Sequence, residues 1–516
     1  MEEEEEAKHL TNDLSSSSSS PHQPRTPTET LLSLLLQPLH WLTLLSGQLH
    51  PTIIAAVILV YGLSQGFSAS YFRVAADYYW KDVHKIQPSQ AQFYVGLYSL
   101  PWLLKPVWGL LTDVLPVAGF RRRPYFVAAG VFGMASAAAV GVIGGLPAPA
   151  ALGCLIGVNL GMAIASVTID ACIARSSMEV RELAGDLQSL CGFCSSAGAL
   201  IGYSSSGFVV HHLGPQGALG LLAIPPASIF VLGFFIYESR VTAVPKFSSE
   251  KKVLVRVGGA VANMWRTMKC PQIWKPALFI FLSLALSVTT HEGHFYWYTD
   301  PKAGPGFSKE FVGILYSIGA IASMLGVVIY HKFFKGFPFR NLLFCAQLLY
   351  GLSGMMDLFW VLRWNLVFRI PDSFFAVLEE SVLRSIQQIR WIPMMVLSTK
   401  LCPPGIEGTF FALLMCIDSL GTLVSKWGGG FLIHELHITR TNFTNLWLAV
   451  LIRNCLRLVT LALIFLVPNV NPSDIVIPPE VLGAKSSSKS NADDKSQLLP
   501  LNEKIEIIVT CKSEGN

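Results

Sequence analysis

One apolar stretch in the last third of the chain carries an unusual concentration of ionisable and amide side chains. Glu379, Glu380, Arg384, Gln387 and Gln388 lie within about three helical turns of one another. Glu380 and Arg384 are four residues apart, so they can pair on one helix face. A guanidinium can also hold a carboxylate through two parallel hydrogen bonds. The pattern predicts either an anion-binding site made by Arg384, Gln387 and Gln388, or an ion pair that only fixes packing.

Three carboxylates in apolar runs are candidates for carrying protons across a membrane. Glu379 and Glu380 belong to the stretch just described, and Glu292 lies between His291 and His294 in an earlier run. Carboxylates that are poorly hydrated bind protons more readily than exposed carboxylates do. We therefore predict proton coupling at Glu292, Glu379 or Glu380. The alternative for residues 291–294 is a hydrated mouth at the outer surface.

Two polar residues interrupt apolar runs in the first third of the chain. Lys105 lies about 12 Å before Asp113 along a helix, and Gln65 lies at mid-depth of an earlier run. An ionisable group at mid-bilayer costs about 3 kcal/mol or more, so it requires a partner or a function. We predict that Lys105 and Gln65 contact an anionic substrate. For Lys105, a gate switch and a structural ion pair are the alternatives.

A tight basic turn joins two of the apolar runs. Asp113 ends the first run, and Arg121, Arg122 and Arg123 follow immediately before the second. An aspartate at a helix end and arginines in a short loop can bond neighbouring helix ends in one transport state and release them in another. Asp170, at the end of a later run, is predicted to bind this loop. These five residues form the predicted gate, with a positively charged cytosolic anchor as the alternative.

The composition requires that these side chains be positioned inside a membrane. The chain of 516 residues is 52% hydrophobic and only 14% charged, with a mean hydropathy of +0.49, whereas soluble domains carry about 25% charged residues. The net charge of +5 gives no reason to expect a nucleic-acid partner. Phosphate loops, nucleophile elbows and metal-spaced ligand clusters are absent from the sequence. We expect neither an enzyme nor a cofactor or metal.

Hydropathy predicts an all-α protein with twelve transmembrane helices. The predicted spans are 53–72, 93–111, 125–145, 150–172, 185–211, 217–237, 275–296, 309–330, 341–362, 374–399, 408–433 and 444–467.

A polar segment divides these spans into two sets of six. We predict a disordered tail with an interfacial segment at 1–50, a six-helix bundle at 51–237, a cytosolic loop at 238–274, a second bundle at 275–467 and a disordered tail at 468–516. Lys and Arg are more frequent in the inner loops if both termini face the cytosol, which favours that orientation.

The two halves repeat weakly in sequence. Gly109, Gly119 and Arg123 correspond to Gly326, Gly336 and Arg340, whereas Tyr330 replaces the gate residue Asp113 in the second half; Gly198 likewise corresponds to Gly421. Internal repeats of this kind are typical of the major-facilitator fold, in which two bundles rock around a central site.

Several motifs resemble those of the folate-biopterin transporter (BT1) family, and residues 410–430 resemble its plant members. The motifs are Tyr79-Trp-Lys-Asp-Val83, Pro88-Ser-Gln90, Pro101-Trp102, Lys105-Pro106, Gly119-Phe-Arg-Arg-Arg-Pro-Tyr125, Thr168-Ile-Asp-Ala171 and Cys402-Pro-Pro-Gly-Ile-Glu-Gly-Thr-Phe-Phe-Ala-Leu-Leu414. The resemblance covers about residues 50–467. It implies a major-facilitator fold and secondary active transport of folates or pterins, with protons as the coupling ion. A carrier of another organic anion and a membrane receptor that transports nothing are the alternatives.

Two further patterns give expectations about packing. Arg453 and Arg457 are four residues apart in the last span and are predicted to snorkel or to pair with Asp357. Aromatic residues cluster near helix ends, and we interpret them as an interfacial belt, with stacking on a flat substrate ring as the alternative. They are Tyr71, Phe72, Tyr78, Tyr79, Trp80, Phe295, Tyr296, Trp297 and Tyr298.

The C-terminal tail contains an acidic dileucine pattern, formed by Asp494, Leu498 and Leu499. Such a pattern can bind a sorting adaptor, because it presents a carboxylate and two leucines on an exposed segment. It predicts an endosomal or vacuolar membrane, with the plasma membrane as the alternative. A plastid location is less favoured, because residues 2–6 are all acidic, unlike a transit peptide.

Overall fold

The computed structural model describes residues 42–238, 268–401 and 407–469, except for 44, 115, 180–183 and 335. The predicted tails and most of the central loop lie outside these residues, as do Asp494, Leu498 and Leu499. The division into two bundles and a cytosolic loop therefore stays a prediction at those boundaries. The described residues are almost entirely helical, in agreement with the predicted all-α class.

Among the described residues from 51 onward, the first half forms eight helical segments. They are α1 (Pro51–Val83), α2 (Pro88–Leu97), α3 (Leu100–Leu103), α4 (Lys105–Val114), α5 (Arg123–Val142), α6 (Ala148–Glu179), α7 (Ala184–Leu221) and α8 (Ile224–Phe235). Two parts of α1, Ile58–Ser68 and Tyr79–Val83, are π-helical.

The second half also forms eight segments. They are α9 (Pro271–Ala285), α10 (His291–Tyr298), α11 (Lys309–Phe334), α12 (Phe339–Val361), α13 (Trp364–Val367), α14 (Asp372–Lys400), α15 (Glu407–Glu435) and α16 (Leu446–Leu466), which ends in a 3₁₀-helix.

Local sequence explains where several of these helices begin or bend. Pro88 and Pro271 occupy the first turns of α2 and α9, where a missing N–H costs nothing. The Ser308 hydroxyl caps α11 by accepting a hydrogen bond from the backbone N–H of Phe311 at 3.2 Å. Inside α7, Gly214 has φ +73° and precedes Pro215, so the chain turns there. This turn separates the fifth predicted span from the sixth.

Each of the twelve predicted spans corresponds to one or more observed helices, but three spans are broken. In the sixth span, a turn at 222–223 separates the end of α7 from α8. The second span consists of α2, α3 and α4, and the seventh consists of α9 and α10 with a non-helical segment at 286–290 between them. Irregular backbone at membrane depth is tolerated where it is buried in protein or lines a cavity. The break between α9 and α10 therefore indicates a functional region.

Seven of the described helices are long and apolar enough to cross a bilayer by length and composition. They are Pro51–Val83, Arg123–Val142, Ala148–Ile173, Ser189–Phe235, Lys309–Phe334, Phe339–Val361 and Leu446–Leu466. Among the other predicted spans, two are broken as described above, and α14 contains the charged and amide residues of the predicted site. The polar groups needed for function thus weaken the hydropathy signal of the segments that carry them.

The internal repeat is visible in how helices approach one another. A Cβ atom on Gly198 of α7 would collide with the carbonyl oxygen of Gly62 in α1. The corresponding residue Gly421 of α15 lies against α9, where a Cβ would be 3.0 Å from the Phe281 carbonyl oxygen. In each half, therefore, the fifth span packs closely on the first through a matched glycine.

Arg123 and Arg340, which occupy corresponding positions in the two halves, also make corresponding hydrogen bonds. The Nε of Arg123 donates to the Ile236 carbonyl at 2.8 Å, directly after α8. The Nε of Arg340 donates to the Val467 carbonyl at 2.8 Å, directly after α16. Both arginines thus bind a free carbonyl at the end of the last helix of their half.

The predicted aromatic belt is wrong. All nine residues assigned to it are buried, with at most 5% of each exposed, and they belong to one core cluster. Ring contacts join α1 to α10, as between Tyr78 and Phe295, and α10 to α12, as between Trp297 and Trp360. Helix ends that pack on other helices bury their aromatic residues, and the sequence pattern alone does not distinguish this from a lipid interface.

Candidate functional site

The site is built around one face of α14. Arg384, Gln387, Gln388 and Trp391 recur at helical spacing and line a cavity of about 490 Å³. Arg390 also lines it. Serine and threonine residues from neighbouring segments complete the polar lining, namely Ser287, Thr289, Ser323, Thr422 and Ser425. The predicted group Arg384, Gln387 and Gln388 is therefore brought together at one cavity.

Arg390 occupies an unusual electrostatic position. Its Nη2 donates to the Ser283 carbonyl at 2.9 Å and to the Ser287 hydroxyl at 3.3 Å. Its guanidinium lies 4.7 Å from the ring centroid of Tyr350, and the guanidinium of Arg457 lies 4.2 Å from the same centroid. These recorded bonds are to neutral groups. Asp418 acts on Arg390 electrostatically, but no hydrogen bond joins them among the described residues. This 7% exposed guanidinium at the cavity wall can therefore also bind an anion.

Arg384 forms the predicted pair with Glu380. Its Nε donates to Glu380 Oε1 at 2.7 Å, one helical turn away. The same guanidinium borders two smaller cavities, of about 120 and 290 Å³. Arg384 therefore lies where the three cavities meet, and both interpretations of the Glu380–Arg384 pair remain compatible with its geometry.

A buried ion-pair network lies beside the 120 Å³ cavity. The Nη2 of Arg453 donates to the carboxylate of Asp357, which confirms the predicted pairing. His294 Nδ1 lies 3.8 Å from the other Asp357 oxygen. Glu379, a predicted proton-coupling residue, is 4% exposed, and its Oε1 has no hydrogen-bond partner among the described residues.

Glu292, the third predicted proton-coupling residue, is fully buried at the start of α10. The interpretation of this segment as a hydrated mouth is therefore wrong. The side-chain oxygens of Glu292 and Asp77 and a ring nitrogen of His291 lie within 4.8 Å of one another. The Nε2 of His291 is 3.1 Å from Asp77 Oδ2. The guanidinium of Arg73 also acts on both carboxylates, which disfavours a metal cation here.

Several contacts join α1 and the segment after it to α10 and α11 near this cluster. The Nζ of Lys81 donates to the Thr299 hydroxyl. Asp82 Oδ2 lies 3.2 Å from Lys309 Nζ. The Tyr296 hydroxyl donates to the Ile86 carbonyl at 3.3 Å. The two halves of the chain are thus bonded to each other at the end predicted to face outward.

The predicted gate residues make different bonds from those expected. The Arg121, Arg122 and Arg123 backbone N–H groups all donate to the Glu238 carboxylate, at 2.7 to 3.0 Å. These groups lie at the beginning of α5, so Glu238 caps that helix. The guanidinium of Arg122 donates to the Thr112 hydroxyl at 2.7 Å. The side chain of Asp113 lies outside the described residues.

Asp170 accepts a hydrogen bond from the Tyr61 hydroxyl instead of the predicted bond from the arginine loop. Lys105 interacts electrostatically with Asp170 and lies 4.8 Å from the Trp102 ring centroid. The roles predicted for Lys105, a substrate contact, a gate switch or a structural ion pair, therefore stay predictions. Gln65 is partly buried on α1, and its Nε2 has no hydrogen-bond partner among the described residues. Its predicted substrate contact stays a prediction.

Comparison with known proteins decides the family. The profile described as the BT1 family matches residues 65–477. The chain belongs to the BT1 family. It is 59% identical over 457 residues to "Probable folate-biopterin transporter 6" of Arabidopsis thaliana, covering 89% of this chain and 91% of that protein. It is 30% identical to "Folate-biopterin transporter" of Synechocystis sp., covering 83% of each chain.

Solved structures establish the fold of this BT1-family protein. The D-xylose-proton symporter matches with a TM-score of 0.58 at 16% identity, over 81% of this chain and 98% of that one. The nucleoside transporter NupG matches with a TM-score of 0.59 at 13% identity, over 80% and 98%. The fold is the predicted twelve-helix major-facilitator fold, and the BT1-family protein is a membrane transporter and not an enzyme.

Three residues of this BT1-family protein make contacts at the sites described above but were not predicted from the sequence. Asp77 is four residues after Arg73, so their helical spacing could have marked them as a pair. Arg390 could have been selected as the second cation of α14. Glu238 is separated from the arginines by more than a hundred residues, so no local signal could have identified it.

Proposed function

We propose that this protein is a proton-coupled secondary carrier of folates or pterins that works by alternating access. The anionic substrate binds in the 490 Å³ cavity, where Arg390 and Arg384 meet its negative charge. The names of the relatives in Arabidopsis and Synechocystis support this substrate class. The cavity volume lies in the range of about 300 to 1,000 Å³ that is usual for small-molecule sites.

The observation that carries the proposal is the charge of the cavity wall. Its lining among the described residues contains two guanidinium groups and no carboxylate, although Glu380 lies behind Arg384. A folate carries carboxylates, and a guanidinium binds a carboxylate through two hydrogen bonds. Glu380 and Asp418 act on these guanidinium groups from outside the cavity lining, so the cavity itself presents positive charge to a bound anion.

The remaining lining suits a flat heterocycle with hydrogen-bonding edges. Gln387 and Gln388 offer amide donors and acceptors, and Trp391 is half-exposed at the cavity. Aromatic rings stack on indoles in offset or edge-to-face geometries. We assign the carboxylates of the substrate to Arg384 and Arg390 and its ring to Trp391, Gln387 and Gln388.

Uptake of labelled folate in a transport-deficient host tests the assignment. Arg390→Ala and Arg384→Ala should each lower uptake by at least about tenfold, because a charged hydrogen bond to an ionised substrate contributes about 1.5 to 3 kcal/mol. Lys302→Ala is the matched control, since this exposed cation lies in a loop before α11. Membrane abundance is measured for every variant. Wild-type uptake by both arginine variants at equal abundance would exclude the site.

A competition experiment separates the substrate classes. Unlabelled pterins should compete with labelled folate if the rings of both compounds bind at Trp391, Gln387 and Gln388. A carrier of an unrelated organic anion would show competition by that anion and none by pterins. A receptor that transports nothing would show binding without flux in proteoliposomes.

The gate and the membrane location are also proposals. We propose a cytosolic latch in which Glu238 holds the arginine loop onto the start of α5 and Arg123 holds Ile236, with Asp113 as a further member. We further propose that both termini face the cytosol and that Asp494, Leu498 and Leu499 direct the protein to an endomembrane or vacuolar membrane. An unchanged location after replacing both leucines by alanine would refute the sorting role.

A further inference from the structure

We propose that Asp77 and Glu292 hold one proton between them and that this carboxyl pair is the site where the coupling proton binds. This inference rests on the proposed function of a proton-coupled carrier and names its coupling residues. Three carboxylates were predicted from the sequence to couple protons, namely Glu292, Glu379 and Glu380. The proposal keeps Glu292 and adds Asp77, which the sequence did not predict.

The unsatisfied state of Glu292 is the first observation behind the proposal. Both of its carboxylate oxygens are buried and lack a hydrogen-bond partner among the described residues. An ionised carboxylate in such a place is costly, because it has lost its water and gained no donor. A proton on one of the two neighbouring carboxyl groups supplies the missing donor, since the protonated group can hydrogen-bond to the other.

The surrounding charges lead to the same conclusion. Arg73 lies one helical turn from Asp77 on α1, and it is the guanidinium nearest in sequence to the pair. Lys426 of α15 also acts on Asp77, but its Nζ donates to the Ser99 hydroxyl at 3.0 Å and to the Val95 carbonyl. Neither cation donates a hydrogen bond to Glu292 among the described residues, so a proton shared with Asp77 supplies the donor that Glu292 lacks.

A ring nitrogen of His291 lies within 4.8 Å of an oxygen of each carboxyl group, and the guanidinium groups of Arg73 and Arg384 both act on that imidazole. The remaining facing groups are tyrosines from α1, α10, α11 and the segment after α2, namely Tyr78, Tyr98, Tyr296, Tyr298 and Tyr316.

The position of the pair explains how a proton could control transport. Asp77 belongs to the first half of the chain and Glu292 to the second, and the Glu292 backbone N–H is bonded to Gln92 Oε1 at 3.0 Å. Loss of the proton leaves two like charges facing each other in a dry interface, which repel strongly at low dielectric constant. Proton binding therefore favours contact between the halves, and proton release favours their separation.

His291 connects the pair to the central site. It lines the 120 Å³ cavity together with Glu380 and Arg384, and its Nε2 is 3.1 Å from Asp77. A proton leaving the pair can pass through this imidazole into the cavity. Substrate bound at Arg384 would then act electrostatically on the same group.

Infrared spectroscopy of the purified protein in liposomes tests the pair without using a substrate. At neutral pH the wild type should show the C=O stretch of a carboxylic acid. Glu292→Gln and Asp77→Asn should each abolish or shift that band, whereas Glu310→Gln, which removes an exposed carboxylate bonded to His211, should leave it unchanged. A wild-type spectrum without a carboxylic-acid band overturns the proposal even if neither variant folds, as does an unaltered band in a folded variant.

Flux measurements in the same liposomes separate this inference from the proposed function. Under an imposed pH gradient, Glu292→Gln should lower folate accumulation by at least about tenfold, and counterflow, which requires no net proton movement, should fall by a smaller factor. Accumulation equal to that of the wild type would overturn the pair alone. A wild type that moves no folate or pterin would refute the proposed function and leave the infrared result to decide the pair.

Discussion

At the scale of single residues, the protein places most of its charge where each group has a defined partner. Arg453 is paired with Asp357, and Arg384 is paired with Glu380. Arg390 differs, because its recorded bonds are to a carbonyl, a hydroxyl and an aromatic face. Arg384 and Arg390 both line the main cavity, whereas Arg453 does not line it.

Removal of one member of the Asp357–Arg453 pair should destabilise the protein severely. Arg453→Ala leaves a buried carboxylate without its main cation, at a cost of about 3 to 5 kcal/mol. Thermal unfolding in detergent measures this loss. Adding Asp357→Asn to Arg453→Ala should recover part of it, and Lys309→Ala, in the more exposed Asp82–Lys309 pair, should cost about 1 kcal/mol or less. Equal losses in the two pairs would contradict the assignment.

Prediction from sequence succeeded at this scale where the partners are close along the chain. Glu380 and Arg384 are one turn apart, so helical periodicity sufficed to pair them. Asp170 and Tyr61 are separated by 109 residues, and the partner of Asp170 was therefore predicted incorrectly. The hydrogen-bond and ring contacts of Arg390 are made with α9 and α12, and spacing within α14 cannot reveal them.

At the scale of elements, the break between α9 and α10 has the largest consequences. It exposes polar backbone and the side chains of Ser287 and Thr289 to the main cavity, and it brings His291 and Glu292 towards α1. Ser425 of α15 supports it, since its carbonyl accepts from the Thr289 N–H at 3.2 Å. The hydropathy pattern predicted one continuous helix here, because hydropathy reports burial and not the path of the backbone.

The packing of α15 against this break requires a glycine at one position. A Cβ on Gly429 would collide with the Thr289 carbonyl oxygen, whereas a Cβ on Gly428 would lie at an ordinary 3.6 Å from Val288. We therefore expect Gly429→Ala to displace the break and lower folate uptake by at least about tenfold, since a misplacement of about 1 Å can cost a hundredfold. Gly428→Ala should retain uptake near the wild-type level at equal abundance. Equal behaviour of the two variants would show that the break tolerates displacement.

At the scale of the whole molecule, the main cavity is lined by the second half alone, whereas both halves line the two smaller cavities that Arg384 also borders. Arg123 and Arg340 bind the ends of the last helices of their halves in the same way, so the repeat extends to single hydrogen bonds. The halves also meet through Asp77, Glu292 and the Lys81–Thr299 bond. Twelve spans and the weak repeat were predictable from sequence. The Lys81–Thr299 and Asp77–His291 contacts between the halves were not, because each joins residues more than 200 positions apart.

Equilibrium binding of labelled folate to the purified protein tests the central claim most directly, because it requires neither a gradient nor a host. The wild type and Lys302→Ala should bind folate saturably with similar affinity. Arg390→Ala and Arg384→Ala should each weaken binding by at least about tenfold, equivalent to about 1.4 kcal/mol. Wild-type affinity in both arginine variants would contradict the claim that the cavity beside α14 recognises the substrate by its negative charge.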